Sequence, residues 1–492
     1  MADFDLAIIG GGINGTAIAR DAAGRGQRVL LVEQDDLAAG TSSASSKLIH
    51  GGLRYLEHRA FRLVREALEE REVLLRMAPH IIRPMRFMLP PMPGRRSALL
   101  LRIALFIYDR LGGRAILPPT RTVDLTHHPF GIPLRRGFRY GFEYSDCVVD
   151  DARLVVLTAR DAADRGADIR TRTKCVRAER RNEWELVLNT RGRRDVATAR
   201  VLVNAAGPWI GQVAETVLRV PLAKAVRLVK GSHIVLRREF SHAGGYTFQA
   251  ADGRVVFALP FAQGHTLIGT TDEPFVGDVG APVPDGDEIA YLAATVSDYL
   301  REKVAPADVV WAFAGVRSLL DDGADKPEDV TRDYSLALDE RFGEAPLLTI
   351  YGGKITTSRR LAEAALAKIG HFFELGPAWT KDTTLPGGDF APDEFEQQIL
   401  RARNRWAFLS EPHARRLVGA YGTRIDNILG AAKTMDELGP RFITDLTGAE
   451  IRYLMTHEWA QTADDILWRR SKLGLLSQPA ERGAIGDFMA GS

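Results

Sequence analysis

Near its amino end the chain runs FDLAIIG (Phe4 to Gly10), the turn Gly10-Gly11-Gly12-Ile13-Asn14-Gly15, TAIARDAAGRG (Thr16 to Gly26), and RVLLVE ending at Glu33. The first piece is short, apolar and rich in Ile and Leu, as suits a strand buried in a parallel sheet. The turn fits G-x-G-x-x-G, the Ala-rich run reads as a helix stopped by Gly24 and Gly26, and a second strand follows. That order constrains the fold more than any other feature, because it is the opening of a dinucleotide-binding α/β unit. Gly10 permits the tight turn, Gly12 lets backbone approach a pyrophosphate, and Gly15 lets helix pack on strand. Gly11, Ile13 and Asn14 complete the turn, and the helix N-terminus attracts phosphate. Glu33 is placed to accept from ribose hydroxyls and to disfavour a 2′-phosphate, which speaks against NADP. The turn alone does not separate NAD from FAD.

The next stretch does. A simple NAD unit typically proceeds to another crossover helix, whereas this chain offers TSSASSKLIHGG, from Thr41 to Gly52. A long loop of small polar residues suits an extended dinucleotide lying along it. Its Thr41, Ser42, Ser45, Lys47, Leu48, His50, Gly51 and Gly52 would line the pyrophosphate and the flat ring, hydroxyls and backbone N–H groups meeting the phosphates and the glycines letting the chain lie against the ring. FAD is the expected cofactor.

Composition excludes several classes. Lys and Arg total 65 against 63 Asp and Glu, a net charge of +2, which gives no broad basis for nucleic-acid binding. The two cysteines, Cys147 and Cys175, form no CxxC and no disulfide framework, which favours a cytosolic setting. HEWAQ (His457 to Gln461) lacks the second histidine of a zinc helix, and His127–His128 sits in a loop-like stretch, so no metal is expected. No secretory signal pattern and no membrane-spanning run is seen.

Further along, EWELVLNT and ARVLVNAAG read as strands, the second ending at Asn204-Ala205-Ala206-Gly207-Pro208-Trp209. SHIVL, RVVFALPF and HTLIGTTD alternate like an antiparallel sheet. PLLTIYGGKITTSRRLAEAALAKI then returns to strand, glycine turn and helix, and beyond Pro386 the pattern is helical and charged. The expected fold is α/β. A discontinuous Rossmann-like FAD-binding domain (1–75, 150–215 and 345–380) carries an inserted, mainly antiparallel β substrate and membrane-contact domain (76–149 and 216–344). A C-terminal helical domain (386–492) follows. RRSALLLRIALFIYDRLGGR (95–114) is apolar but too short to span a bilayer, and arginines flank it, which suits an anionic lipid surface. The preceding PMRFMLPPMPG is compatible with a loop dipping into the interface. The same helix would also serve a buried core or a dimer interface.

Longer motifs carry a family resemblance. TSSASSKLIHGGLRYLEH, EREVLLRMAPH, FEYSDCVVDDARLV, KGSHIV, IGTTD, GVRSL, TRDYSL, GGKITT, GPAWTK and DDILWRR resemble bacterial FAD-dependent, quinone-linked glycerol-3-phosphate dehydrogenase along almost the whole chain. The resemblance implies oxidation of sn-glycerol 3-phosphate to dihydroxyacetone phosphate, with electrons passed to a ubiquinone-type quinone. It also implies peripheral attachment through residues 95–114 to the cytoplasmic face of the inner membrane, and leaves a cytoplasmic pool open. Oligomeric state stays open, a homodimer included.

The resemblance places Arg54, Arg317, Arg332 and Lys354 at the substrate phosphate, with Tyr55 adding a contact, and Ala206, Gly207 and Trp209 beside the dinucleotide. Arginine suits bidentate phosphate contact. Lys354 and Gly353, with Thr356, open a helix whose N-terminus would face the flavin. Arg317 and Lys354 would act in catalysis, with His233 as the base and His50 as its rival. His50 and the cysteines are conceivable covalent attachment points, but no motif demands one. Ser318, Ala314 and one alanine of NAAG depart from the family pattern and leave the charged positions intact. Two other enzyme readings stay open. One is a soluble oxidase of the same substrate; the other is an amine or amino-acid oxidase, which would need a carboxylate clamp.

Overall fold

The computed structural model describes residues 2–491 apart from 57–59, 93–96, 114, 115, 263, 322, 324–329 and 331, without the Arg54 side chain. Phe4–Ile9 lies at the centre of a parallel sheet, with Val29–Val32 on one side and the end of Arg193–Asn204 on the other. Asp168–Arg170 extends the sheet beyond Val29–Val32, and Leu347–Tyr351 extends it beyond Asn204. The burial pattern explains why these short strands are apolar throughout: Leu6, Ile8, Leu31, Val201 and Leu348 are covered from both faces. Helices Ile13–Gly24, Asp151–Asp164 and Ser358–Ile369 share one core beneath the sheet. A meander through Thr173–Arg180 and Trp184–Thr190 covers the other face, where the Trp184 indole donates to the Pro346 carbonyl at 2.9 Å.

The second sheet is larger and mostly antiparallel. Its long spine pairs Val226–Leu236 with Val309–Leu320, and His265–Gly269, Val255–Phe261 and Gly245–Gln249 continue it. Ile82–Leu89 and Tyr140–Val149 then pair over eight positions. Two expected domain edges move. Leu48–Ile49 pairs with Cys147 and Val148 in this second sheet, so the small-residue loop crosses between the two domains. Ser335–Asp339 pairs with Leu347–Tyr351, so the return to the nucleotide sheet starts earlier than residue 345.

PMRFMLPPMPG is also corrected in its first half. Pro84 to Leu89 form part of the strand Ile82–Leu89, with Phe87, Met88 and Leu89 buried, rather than a loop dipping into lipid. The helix Ala98–Leu111 behind it buries Leu101, Leu105 and Tyr108 and turns Leu99, Leu100, Ile103 and Phe106 to the outside. Arg95, Arg96 and Arg114 lie outside the described residues. No helix among the described residues is long and apolar enough to cross a membrane.

The C-terminal helices form their own core around Trp406, Leu417, Tyr421 and Leu454. They are capped as their sequences suggest: Ser410 accepts from His413 N and Thr447 from Glu450 N. This domain is bolted to the nucleotide unit by buried ion pairs. Arg153 contacts both oxygens of Glu458, a pair out of solvent, and also donates to the Ala420 carbonyl.

His80 sits at the same seam, buried, with neither ring nitrogen hydrogen-bonded among the described residues. Burial, helped by Arg153, pulls its pKa from 6.5 to about 3. Above pH 6.5 the folded and unfolded forms are both neutral there. Below it the unfolded chain takes up a proton that the folded chain refuses, so stability is lost as pH falls towards 3, by about 1.4 kcal/mol per unit. His80→Leu is therefore expected to lose less melting temperature between pH 7.5 and 5.5 than the parent; equal losses in both proteins would contradict a neutral buried imidazole.

Candidate active site

A cavity of about 910 Å³ runs from the carboxyl edge of the parallel sheet to the floor of the antiparallel one. At one end Glu33 is fixed by two backbone donors, Gly11 N at 2.7 Å and Asp35 N at 2.8 Å. Burial raises its pKa to about 7 against these two hydrogen bonds. A carboxyl group has lone pairs to spare beyond two donors, so Glu33 keeps acceptor capacity towards the cavity. Thr173, Lys174 and Cys175 line the same end.

In the middle, the glycines are explained by what a side chain would hit. A Cβ on Gly15 would lie 2.0 Å from the Gly10 carbonyl oxygen, and one on Gly10 would lie 2.5 Å from that of Ala205. Both contacts are with backbone and cannot be relieved by rotamer changes. Gly12 precedes the helix and faces Ser42, whose hydroxyl accepts from Ile13 N at 3.0 Å. Asn14 donates to Gly352 O at 3.0 Å, tying the first turn to the last.

The far end gathers the cations. Arg317 donates to Asp272 at 2.6 Å and to Thr270 Oγ1 at 3.2 Å, and Arg332 donates to the same Asp272 oxygen at 2.9 Å. Gly231, opposite Gly315 on the neighbouring strand, leaves the space: a Cβ there would lie 2.3 Å from the Arg317 guanidinium. Lys354 Nζ lies 3.6 Å from the Tyr55 ring centroid. Burial lowers the Lys354 pKa. Burial pushes the Tyr55 hydroxyl up, but Lys354, Arg332 and Arg317 outweigh it and the net shift is downward. His50 lines the wall, edge-on to Phe257 at 5.8 Å between centroids. Burial, then Lys354 and Arg71, bring its pKa to about 3, so it stands as a neutral imidazole.

Most residues singled out from the sequence line this one cavity: Gly10, Gly12, Ile13, Asn14, Glu33, Thr41, Ser42, Ser45, Leu48, His50, Gly52, Tyr55, Ala206, Gly207, Trp209, Arg317, Arg332, Gly353, Lys354 and Thr356. Five do not. Gly11 serves through its bond to Glu33 and Gly15 through packing. Gly51 N donates to the buried Tyr108 hydroxyl. Lys47, at φ +58°, turns its ammonium away to Asp151 and the Ser43 carbonyl, because Asp151 is a buried carboxylate that needs a partner. His233 stands one residue behind the wall: its Nε2 is 3.0 Å from Ser46 Oγ, and its ring stacks on Phe313. Burial, reinforced by Arg317, holds its pKa well below 6.5. The side chain of Arg54 lies outside the described residues. Sequence reasoning missed Asp272, Ser46 and the Arg172–Cys175 edge. Asp272 was within reach, since IGTTD holds an acid and paired arginines need a counter-ion; the adenosine edge carries no such signal.

The residues present fit a dinucleotide bearing a flat ring. The turn glycines leave room for a pyrophosphate, and Asn14 Oδ1, Arg332 and Lys354 keep polar atoms without a hydrogen-bond partner among the described residues. The fold and site together define a flavin-dependent oxidoreductase. The chain belongs to the family described as FAD dependent oxidoreductase, whose model matches residues 5–359, and FAD is its cofactor. A second model, the C-terminal domain of alpha-glycerophosphate oxidase, matches residues 378–490. The chain is 48% identical to a glycerol-3-phosphate dehydrogenase of Pseudomonas aeruginosa, covering 99% of this chain and 95% of that one. It is 49% identical to a D-erythritol 1-phosphate dehydrogenase of Brucella abortus, covering 98% and 97%. The fold matches that of an FAD-complexed glycerol-3-phosphate dehydrogenase from Bacillus halodurans with a TM-score of 0.75, at 24% identity and covering 99% and 94%.

Proposed function

We propose that this chain oxidises sn-glycerol 3-phosphate to dihydroxyacetone phosphate and passes the electrons to a membrane quinone. The observation that carries the reading is the cation cluster at one end of the cofactor cavity: Arg317 and Arg332 share one carboxylate, Asp272, and Lys354 lines the same end over the Tyr55 ring. Surplus positive charge there suits a phosphate monoester, and paired guanidiniums suit its bidentate recognition. An amino-acid substrate would need one carboxylate clamp rather than this excess. Bound FAD supplies the hydride acceptor. Arg317 and Arg332 hold the phosphate, and Lys354 favours negative charge at the flavin edge.

The proton of the C2 hydroxyl goes to a neutral imidazole. His50 lines the cavity, whereas His233 does not and bonds Ser46, which does, so the base role is given to His50 rather than His233. The name of the Brucella relative favours a second substrate of the same class, a longer polyol 1-phosphate. The quinone part rests on the helix Ala98–Leu111: its outer face is apolar, while its Leu101 and Ala104 line the cavity. A lipid-soluble acceptor would have the shortest path there, from the cytoplasmic surface of the inner membrane.

Anaerobic mixing of the flavin-loaded protein with glycerol 3-phosphate tests the reading. Bleaching of the flavin band, reversed by a quinone analogue and only slowly by air, is the expected result. Rapid recovery in air would make it an oxidase, and bleaching by erythritol 1-phosphate alone would change the substrate. His50→Asn should slow bleaching by about 10²–10⁴-fold, the usual contribution of a general base. His233→Asn should slow it less than tenfold, and the reverse order would return the base role to His233.

A further inference from the structure

The segment Asp465–Arg470 of the C-terminal domain, with Ser471 and Lys472 after it, keeps Ile466 and Leu467 in its own core while its polar and aromatic side chains reach four other places in the molecule. Arg470, with no exposed surface, spans both oxygens of Asp36 at 2.7 and 2.8 Å. Arg469 bonds the same carboxylate at 2.5 Å and also pairs with Asp465. Asp465 in turn receives Arg172 at 2.7 Å. Lys472 approaches Asp151, the carboxylate that holds Lys47 and Ser45 of the small-residue loop. Trp468 stacks on Trp311 of the antiparallel sheet, 4.6 Å between centroids.

Asp36 is not in a neutral place. It lies three residues after Glu33, in the loop whose Asp35, Ala39 and Gly40 line the cavity and whose Ala38 N donates to Gly11 O. Arg469 and Arg172 themselves line that end of the cavity. Two arginines on one buried carboxylate are over-provided for a simple domain seam. Arg469 is also the partly exposed one of the pair, with 18% of its side chain open against 0% for Arg470.

We infer that the C-terminal domain is a cofactor latch. Arg469 is an FAD-binding residue at the adenosine end, and Arg470 is a positioning residue that pins the Glu33–Gly40 loop around it through Asp36. The inference rests on FAD as cofactor and not on the identity of the alcohol, so it survives a change of substrate. It also gives the helical domain, distant in sequence from every dinucleotide motif, a part in holding the dinucleotide.

The test uses the purified holoenzyme. Flavin release on dilution is followed by fluorescence, and ADP, which presents the adenosine end alone, is added to block rebinding. Arg469→Gln is expected to speed FAD release about tenfold or more and to raise the ADP concentration needed for half-blocking by a similar factor. Arg469→Lys keeps the charge but cannot reach two carboxylates at once, and it should fall between the two. Faster FAD release with unchanged ADP binding would overturn the assignment, since the effect would then lie elsewhere in the cavity. Unchanged release in Arg469→Gln would overturn it as well. A flavin loss that Arg469→Lys does not rescue in part, with the melting temperature lowered equally in both variants, would reduce the segment to a structural seam.

Discussion

Arg317→Met is expected to lower kcat/KM for glycerol 3-phosphate by about 10³-fold, the range for truncating one member of a desolvated charge pair. The loss has two sources. The phosphate loses a guanidinium, and the residue facing it loses its orientation: Asp272 binds Arg317 at 2.6 Å and Arg332 at 2.9 Å through the same oxygen, so removing one arginine lets the other move. Burial lowers the Arg317 pKa, Asp272 opposes that, and arginine starts high enough to stay charged at neutral pH. The site therefore offers a permanent cation, and the effect should not fade between pH 6 and 8. Most of the change should fall on KM if Arg317 grips only phosphate. A fall in kcat with KM kept would put Arg317 at the reacting carbon instead. Lysine should rescue poorly, because one ammonium cannot serve Asp272, Thr270 and the substrate together. Steady-state assays with a soluble dye acceptor, alongside flavin content, decide it. A kcat/KM within threefold of the parent, with flavin retained, would remove Arg317 from the phosphate site and with it the main support for a phosphorylated substrate.

The parts of this site that were legible in the sequence are those where local backbone dictates the residue. The Gly10–Gly15 turn reads directly because a Cβ at Gly15 or Gly10 would collide with backbone oxygen, so no other residue type will do. The strands of the antiparallel sheet were legible as strands, although Ser232 to Leu236 and His265–Gly269 are buried without interruption rather than in alternation, and the exposed side of Ala98–Leu111 reads from its apolar run. What did not read was direction. Lys47 stands among small residues that do line the cavity, yet a buried Asp151 more than a hundred residues away takes its ammonium. His233 has the right chemistry in KGSHIV, but the strand phase turns it behind Ser46. Pro84 in a proline-rich run looked like loop, and the pairing partner Tyr140–Val149 made it strand. In each case the deciding contact is long-range, and nothing within a few residues announces it. The arginine pair on Asp36 is the extreme instance, since 433 positions separate Arg469 from the acid it meets.

The other large effect concerns the surface rather than the cavity. Leu99, Leu100, Ile103 and Phe106 point outward from Ala98–Leu111 with 68%, 55%, 48% and 56% of their surface exposed. A patch of four large apolar side chains on one helix face is unusual on a protein that meets only water. Burying such a side chain completely is worth about 1.5–3 kcal/mol, so partial insertion of four at a lipid interface gives roughly 4 kcal/mol, near 10³ in partition. Arg102 and Arg110 on the same helix add attraction to anionic headgroups, with Arg110 folded over Phe106 at 3.6 Å. Changing the four residues to serine should abolish co-sedimentation with vesicles containing phosphatidylglycerol. Dye-linked activity should persist, because these four side chains face away from the cavity that Leu101 and Ala104 line. Quinone-linked activity should fall with the vesicle binding. If the variant instead stays on vesicles and changes from dimer to monomer, the patch is a contact between copies, and the acceptor must reach the flavin by another route.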